Sequence, residues 1–325
     1  MTSVDSIRRK MNQLGSQGHP FFFAFDFELS EGLFSDHPFE EKDFFFSLSG
    51  QTNAPAKLQP DADGRAYIKT YPMTIDEYAE KFKIAYCGLA RGDSYLLNLT
   101  GATPIECPLT LEEIFYLSDS PFRLWVPGRL VAFSPERFVK ICDHRIVTCP
   151  MKGTIDASLP DAEGRILDDF KETCEHATIV DLLRNDLSLF AENVRVARYR
   201  YVESVVTRQR TILQVSSEIE GTLPRHWPDQ IGDLIWSMLP CGSCSGAPKE
   251  STVRIIQKAE GQPRGYYTGV FGLFDGKDLD SAVLIRFIEQ TPQGLKFRSG
   301  GGITANSRME DEYQEMLDKI YLPFV

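Results

Sequence analysis

Apolar residues change their spacing along this chain in a way that sorts it into strands and helices. Phe21 to Leu29 and Asp43 to Leu48 are aromatic-rich runs that predict strands. Thr74 to Ala90 switches to helical spacing behind a capping threonine and stops near Gly92, after which Ser94 to Leu99 reads as strand again. From Arg123 onward, short apolar or β-branched runs dominate, and Arg123 to Val126, Leu130 to Ser134, Phe138 to Ile141 and Arg145 to Thr148 predict antiparallel sheet. A long helix is expected from about Glu163 to Leu183, where Leu167, Phe170, Cys174 and Ala177 recur at helical spacing. Strands then follow at Val194 to Val206, Thr211 to Glu220, Thr268 to Phe274, Ser281 to Glu289 and Leu295 to Ser299. The last three would be joined into hairpins by the turn tetrapeptides Asp275-Gly-Lys-Asp278 and Thr291-Pro-Gln-Gly294. Helices are expected at Asp229 to Met238, Lys249 to Ala259 and Arg308 to Tyr321, the second opened by Pro248 where a missing N–H costs nothing.

Runs of strands punctuated by a few helices, without regular alternation, predict an α+β fold. At 325 residues and 36.8 kDa the chain can bury a sizeable core. The 35 basic against 46 acidic side chains give a net charge of −11, which opposes attraction to nucleic acid and to anionic membranes but leaves room for a local cationic site that takes a small carboxylate. No apolar run approaches the roughly 20 residues that span a bilayer. The stretch from Met1 to Gln17 is polar and lacks a signal peptide's hydrophobic segment, so a cytoplasmic location is expected. An odd number of scattered cysteines, 7 in all, argues against a disulfide framework.

Several segments carry candidate chemistry. Pro150-Met-Lys-Gly-Thr154 sets Lys152 at the end of a strand beside a glycine; as a nucleophile or base it must be neutral, which burial or a nearby cation achieves. Taken alone, Lys152 would read as a solvated turn residue. Glu172 with Glu175, and Glu312 with Glu315, each put two carboxylates on one helical face. If the two helices meet, the four acids form an oxygen-rich cage suited to Mg²⁺; separately they are exposed acidic faces. Ser299-Gly-Gly-Gly-Ile303 leaves a strand and offers backbone N–H groups to an anion, or else is a plain turn. Arg286 stands inside an otherwise apolar strand and needs an anion, supplied either by a substrate carboxylate or by a protein one. Cys241-Gly-Ser-Cys244 looks like a redox motif but lacks the strand and helix context of one, and the five histidines show neither ligand spacing nor a triad.

Together these segments resemble the chorismate-utilising enzymes: the anthranilate, isochorismate, salicylate and aminodeoxychorismate synthases. The matching stretches are Gly92 to Thr100, Ser134-Pro-Glu-Arg-Phe138, Pro150-Met-Lys-Gly-Thr154, Ile179 to Asp186, Ser245-Gly-Ala-Pro-Lys249, Arg264-Gly-Tyr-Tyr-Thr-Gly269, Ser299-Gly-Gly-Gly-Ile303 and Glu312-Tyr-Gln-Glu315, in family order. The resemblance implies an anthranilate synthase component I-like fold, two large antiparallel sheets packed as a sandwich with helices outside. Residues 91–325 would form the chorismate-binding catalytic region and residues 1–90 a divergent part of the same intertwined domain. Lysine at position 152, where anthranilate and salicylate synthases carry alanine, resembles the aminodeoxychorismate synthase branch. That likeness implies attack of neutral Lys152 on C2 of chorismate, with Glu136 protonating the departing C4 hydroxyl, after which ammonia from a glutamine amidotransferase subunit enters at C4. It further implies Mg²⁺ on Glu175, Glu312 and Glu315 with Glu172 close by. Arg286, Tyr266 and the Gly301–Gly302 backbone would hold the enolpyruvyl carboxylate, Lys319 would line the pocket, and Thr154 and Ser245 would be its walls. Gln214 stands where the family usually has histidine, and Cys241 and Cys244 replace a glycine and an aliphatic residue. Anthranilate synthase component I is the competing enzyme, and a catalytically idle subunit that only docks a glutaminase is the competing class; a scaffold needs none of Lys152, Glu136 or the paired glutamates.

Overall fold

Alternation along the strand Phe21–Phe25 decides how the layers stack. Successive side chains of a strand face opposite ways. Phe21, Phe23 and Phe25 join a cluster with Ile7, Met11, Ile179, Leu183 and Ile231, whereas Phe22 and Ala24 join Phe46, Phe122, Leu124, Phe271 and Phe287. All five residues are fully buried because both faces of this strand are covered, which is why it reads as an uninterrupted apolar run.

The computed structural model describes residues 3–56, 67–206, 211–322 and 324. Among them two nine-stranded sheets form, and every strand pair is antiparallel. The first sheet runs Met151–Asp156, Thr211–Thr222, Arg145–Thr148, Arg137–Cys142, Leu279–Val283, Val270–Phe274, Phe21–Phe25 and Gly32–Ser35, with Glu192–Val206 also paired to Thr211–Thr222. The second runs Gly246–Ala247, Leu96–Glu106, Gly294–Ile303, Phe287–Thr291, Leu130–Ser134, Phe122–Val126, Phe45–Leu48 and Gln51–Thr52, with Lys69–Thr70 on the long strand Leu96–Glu106. The sheets face each other across the Phe22, Phe46, Phe271 and Phe287 layer. Helices Val4–Ser16, Phe170–Ser188 and Ile231–Ser237 cover the outside of the first, and Ile75–Ala90, Lys249–Glu260 and Met309–Asp318 the outside of the second. The α+β sandwich expected from the sequence is the architecture observed. Strands from the first 90 residues lie within both sheets: Phe21–Phe25 pairs with Val270–Phe274, and Phe45–Leu48 pairs with Phe122–Val126.

Four departures from the sequence reading matter for the site. The expected strand Ser281 to Glu289 is two strands, Leu279–Val283 in the first sheet and Phe287–Thr291 in the second, so Arg286 is not a strand residue. It sits at the crossover with φ 52°, a left-handed conformation that an apolar run gives no sign of. The triple glycine does not leave its strand but lies inside Gly294–Ile303, paired with Thr100, Leu99 and Asn98 on the neighbouring strand. The long helix breaks at Asp169, which ends Ala162–Asp168 and caps Phe170–Ser188 by accepting a hydrogen bond from Glu172 N. Finally, the polar N-terminus forms the helix Val4–Ser16, capped by Ser3 and tied down by Arg8 and Asn12 on Asp233 at 2.5 and 2.8 Å.

Candidate active site

A cavity of about 370 Å³ opens between the two sheets, and the chain reaches it from both. The first sheet contributes Met151, Lys152, Thr154 and Gln214; the second contributes Asn98 and Gly300; Glu172 and Glu175 come from the helix above, and Glu315 and Lys319 from the C-terminal segment. Lys152 is aimed inward by a bulge: the register slips between Lys152 and Thr154, where Gly153 takes φ 76°. Its Nζ lies 3.2 Å from Glu175 Oε2. Glycine is needed opposite it, because a Cβ at Gly302 would stand 3.0 Å from Lys152 Nζ and 2.8 Å from Glu175 Oε2, and one at Gly301 would stand 3.0 Å from Glu315 Oε1. The glycine run therefore strips a strand bare so that charged side chains can lie on it, rather than forming an anion nest in a loop.

Glu136 occupies the other wall, following the strand Leu130–Ser134, and accepts a 2.5 Å hydrogen bond from Ser243 Oγ. Ser243 is held by a loop that three buried contacts fix. Lys249 pairs with Asp186 at 2.8 Å and donates to Met238 O at 2.7 Å, spanning the loop's two ends. Arg264, 1% exposed, donates to Cys244 O at 2.8 Å, to Asn98 O at 2.6 Å, to Thr268 Oγ1 at 3.2 Å and to both oxygens of Glu260. One guanidinium thus braces three residues that line the cavity. Thr268, a β-branched residue at φ 60°, is held in a conformation it would not adopt freely.

Electrostatics divide the walls. Burial raises the Glu136 carboxyl above its ordinary range, against the Ser243 hydrogen bond and the cations Lys152, Arg286 and Lys319. Glu315 goes the other way: burial would raise it, but Lys319, 2.7 Å away, together with Lys171 and Lys152, holds it at about 2. Lys152 differs from the expectation of a neutral amine. Burial pulls it down, yet the charges of Glu175, Glu172 and Glu315 outweigh burial and raise it above an ordinary lysine, so in the acid-lined cavity it is an ammonium. His176, beside Glu175, is pushed down to about 4 by burial and by Arg200, and is a neutral ring joined to Ser217 Oγ at 2.6 Å.

The two glutamate pairs, each on one helical face, do meet, but a cation of the protein lies among them. Lys171 Nζ is 2.7 Å from Glu312 Oε1, 3.4 Å from Glu175 Oε1 and 3.6 Å from Glu315 Oε2. Apart from that approach, Glu175 Oε1 and both carboxylate oxygens of Glu312 are buried without a hydrogen bond, the condition of a donor set that suits a hard cation. These oxygens are spread around an ammonium rather than drawn into one coordination sphere: among the described residues the only three acid, thiol or imidazole groups with ligand atoms all within 4.8 Å are Cys142, Asp143 and Asp278, at a surface turn where Lys277 pairs with Asp143 at 3.1 Å.

Of the residues named from the sequence, Lys152, Glu136, Thr154, Glu172, Glu175, Glu315, Arg286 and Lys319 line one cavity, with Glu312, Gly301 and Gly302 against it. Lys319 lies just past the C-terminal helix, which ends at Asp318, and donates to Gly300 O at 2.9 Å. Two placements need correction. Tyr266 packs in the inter-sheet apolar layer with Arg129 over its ring at 5.5 Å, and Tyr267 faces the cavity in its place. Ser245 is fully buried and donates to Cys241 O at 2.8 Å instead of forming a wall; Ser243, two residues earlier, reaches the cavity. Which side of a tight turn faces a pocket is set by tertiary packing and leaves no pattern in the sequence. Lys171 did leave one, since it stands four residues before Glu175 and so on its face.

The two sheets thus enclose a cavity lined by four glutamates, two lysines and an arginine. The chain belongs to the chorismate binding enzyme family, whose model matches residues 21–323. It is 49% identical over 315 residues to an uncharacterized PabA-like protein of Haemophilus influenzae, covering 96% of this chain and 94% of that one. It is 31% identical over 264 residues to aminodeoxychorismate synthase component 1 of Salmonella typhimurium, covering 76% of this chain but only 57% of that relative's length. The fold is shared with menaquinone-specific isochorismate synthase of Escherichia coli, with a TM-score of 0.75 at 16% identity over 98% of this chain and 81% of that one.

Proposed function

We propose that this enzyme aminates chorismate, giving 4-amino-4-deoxychorismate through a covalent adduct on Lys152. The observation that carries the reading is that Lys152 and Glu136, a nucleophile and an acid, open on one cavity that also holds Arg286, Lys319 and the acid cluster. Arg286 and Lys319 are the cations placed to receive substrate carboxylates, Arg286 being steadied by Tyr321 Oη at 3.2 Å. Glu175, Glu312 and Glu315 would hold Mg²⁺, with Glu172 nearby, and the ion would bind the ring carboxylate and withdraw electron density from the diene.

Lys152 must lose a proton before it attacks. The carboxylates that keep it protonated are those a dication would neutralise, and Glu175 Oε2 is the acceptor at 3.2 Å. The amine then forms a bond to C2 while the C4 hydroxyl departs as water with the proton of Glu136, whose raised pKa keeps that proton available. Ammonia adds at C4 and the amine leaves C2, so chorismate and ammonia give the aminated ring and water. A glutamine amidotransferase partner is the proposed source of ammonia. Incubating the purified chain with chorismate, ammonium and Mg²⁺ tests the reading: the product should be converted to para-aminobenzoate by an aminodeoxychorismate lyase. Fluorescent anthranilate would reject it, and unconsumed chorismate would favour a docking subunit.

A further inference from the structure

We propose that Lys171 is a resident counter-cation that occupies the centre of the Glu175, Glu312 and Glu315 cluster and must be evicted when a divalent cation binds, so that this one side chain sets the metal affinity of the site. The inference rests on the metal reading given above. Its basis is the position of Nζ, within 2.7 to 3.6 Å of all three carboxylates. The Glu312 side chain has no exposed surface and that of Glu175 is 3% exposed, so neither can turn to water for compensation. Buried carboxylates without a partner are strongly disfavoured. Lys171 answers that need when no other cation is present.

An ammonium and a dication cannot share this space. A point charge of +1 beside one of +2 at contact distance is repelled in a poorly solvated pocket, and the bare strand at Gly301 and Gly302 shows that the cluster is already close-fitted on its far side. Eviction has an open route. Lys171 is the second residue of its helix, directly after the break at Asp169, and 29% of its side chain is already exposed. A stem that leans into the cluster from the first turn of the helix therefore has a partly open path to solvent. Binding of the dication then includes the cost of breaking three ion pairs, and removal of the ammonium deletes that cost.

The test is calorimetric titration of MgCl₂ into the full chain at constant ionic strength, comparing the unaltered protein with Lys171→Met, Lys171→Gln and Glu312→Gln, with thermal melts in EDTA and in Mg²⁺. Both Lys171 variants should bind Mg²⁺ at least about tenfold more tightly and gain more in melting temperature from the ion than the unaltered protein does. Variants that lose their cooperative melt in EDTA and regain it in Mg²⁺ would support the proposal in the same way, because the ion would be replacing the lost charge. Equal or weaker affinity in both variants, or failure to fold in Mg²⁺ as well as in EDTA, overturns it. The two ideas fail differently. Heat that survives Glu312→Gln, or no heat in any of the proteins, removes the metal site itself, whereas heat lost in Glu312→Gln but unchanged on substituting Lys171 leaves the site standing and removes the lysine from it.

Discussion

Glu136 and Glu315 face each other across one cavity, and the same functional group behaves oppositely in the two. At Glu136 a lone carboxyl is pushed up by burial despite a hydroxyl donor and three cations. Across the cavity Glu315 is held down at about 2 by an ammonium at contact distance, although burial alone would lift it. Direct pairing separates them: Lys319 touches Glu315 at 2.7 Å, while Glu136 is touched by a neutral serine at 2.5 Å. A fixed charge at contact separates these two acids, but it does not decide alone: Glu312, with Lys171 Nζ at 2.7 Å, is still raised by its burial. Glu136 is thereby suited to delivering a proton and Glu315 to staying ionised beside a cation.

Lys152 bridges the walls, so its loss should have the largest effect. Lys152→Ala is expected to lower turnover at least about a thousandfold and to abolish the chorismate adduct seen by intact mass; an unchanged adduct removes the lysine from its role. Behind the walls, Arg264→Met should leave Glu260 as an unpaired buried charge and cost about 3–5 kcal/mol in urea unfolding. A loss below 1 kcal/mol would mean that the brace is dispensable. Glu312→Gln should cut Mg²⁺-dependent turnover roughly a hundredfold while leaving the fold intact, and retention of the full Mg²⁺ response would detach that wall from the metal.

The smallest effect should be the most discriminating. The Ser243 hydrogen bond stabilises ionised Glu136, so Ser243→Ala raises the Glu136 pKa further. An acid catalyst works while protonated, so activity falls as pH rises through that constant. The variant's alkaline limb should therefore move to higher pH, with turnover down about tenfold from lost positioning. A pH profile identical to that of the unaltered protein would show that the serine is only structural.

Much of this was legible in the sequence, for reasons that differ by residue. The glutamate pairs were visible because helical spacing is periodic and survives burial, and the same arithmetic places Lys171 beside them. Strand faces were legible from Phe21 to Phe25, where continuous apolarity signals cover on both sides. Hidden were the features made by single backbone angles: the left-handed Arg286 that splits a strand, the bulge at Gly153 and the choice of Tyr267 over Tyr266. None alters composition or period. Cys241 and Cys244 drew notice in the sequence, whereas the serine between them makes the contact with Glu136.

The crossover at Arg286 has a mechanical consequence. Because the polypeptide passes from one sheet to the other at this residue, its guanidinium is registered to both layers at once. A slip between the layers would drag Arg286 away from Lys152 on the first sheet. Catalytic competence should therefore vanish in the same cooperative step as the stacking of the sandwich, with no partly loosened form that still turns over.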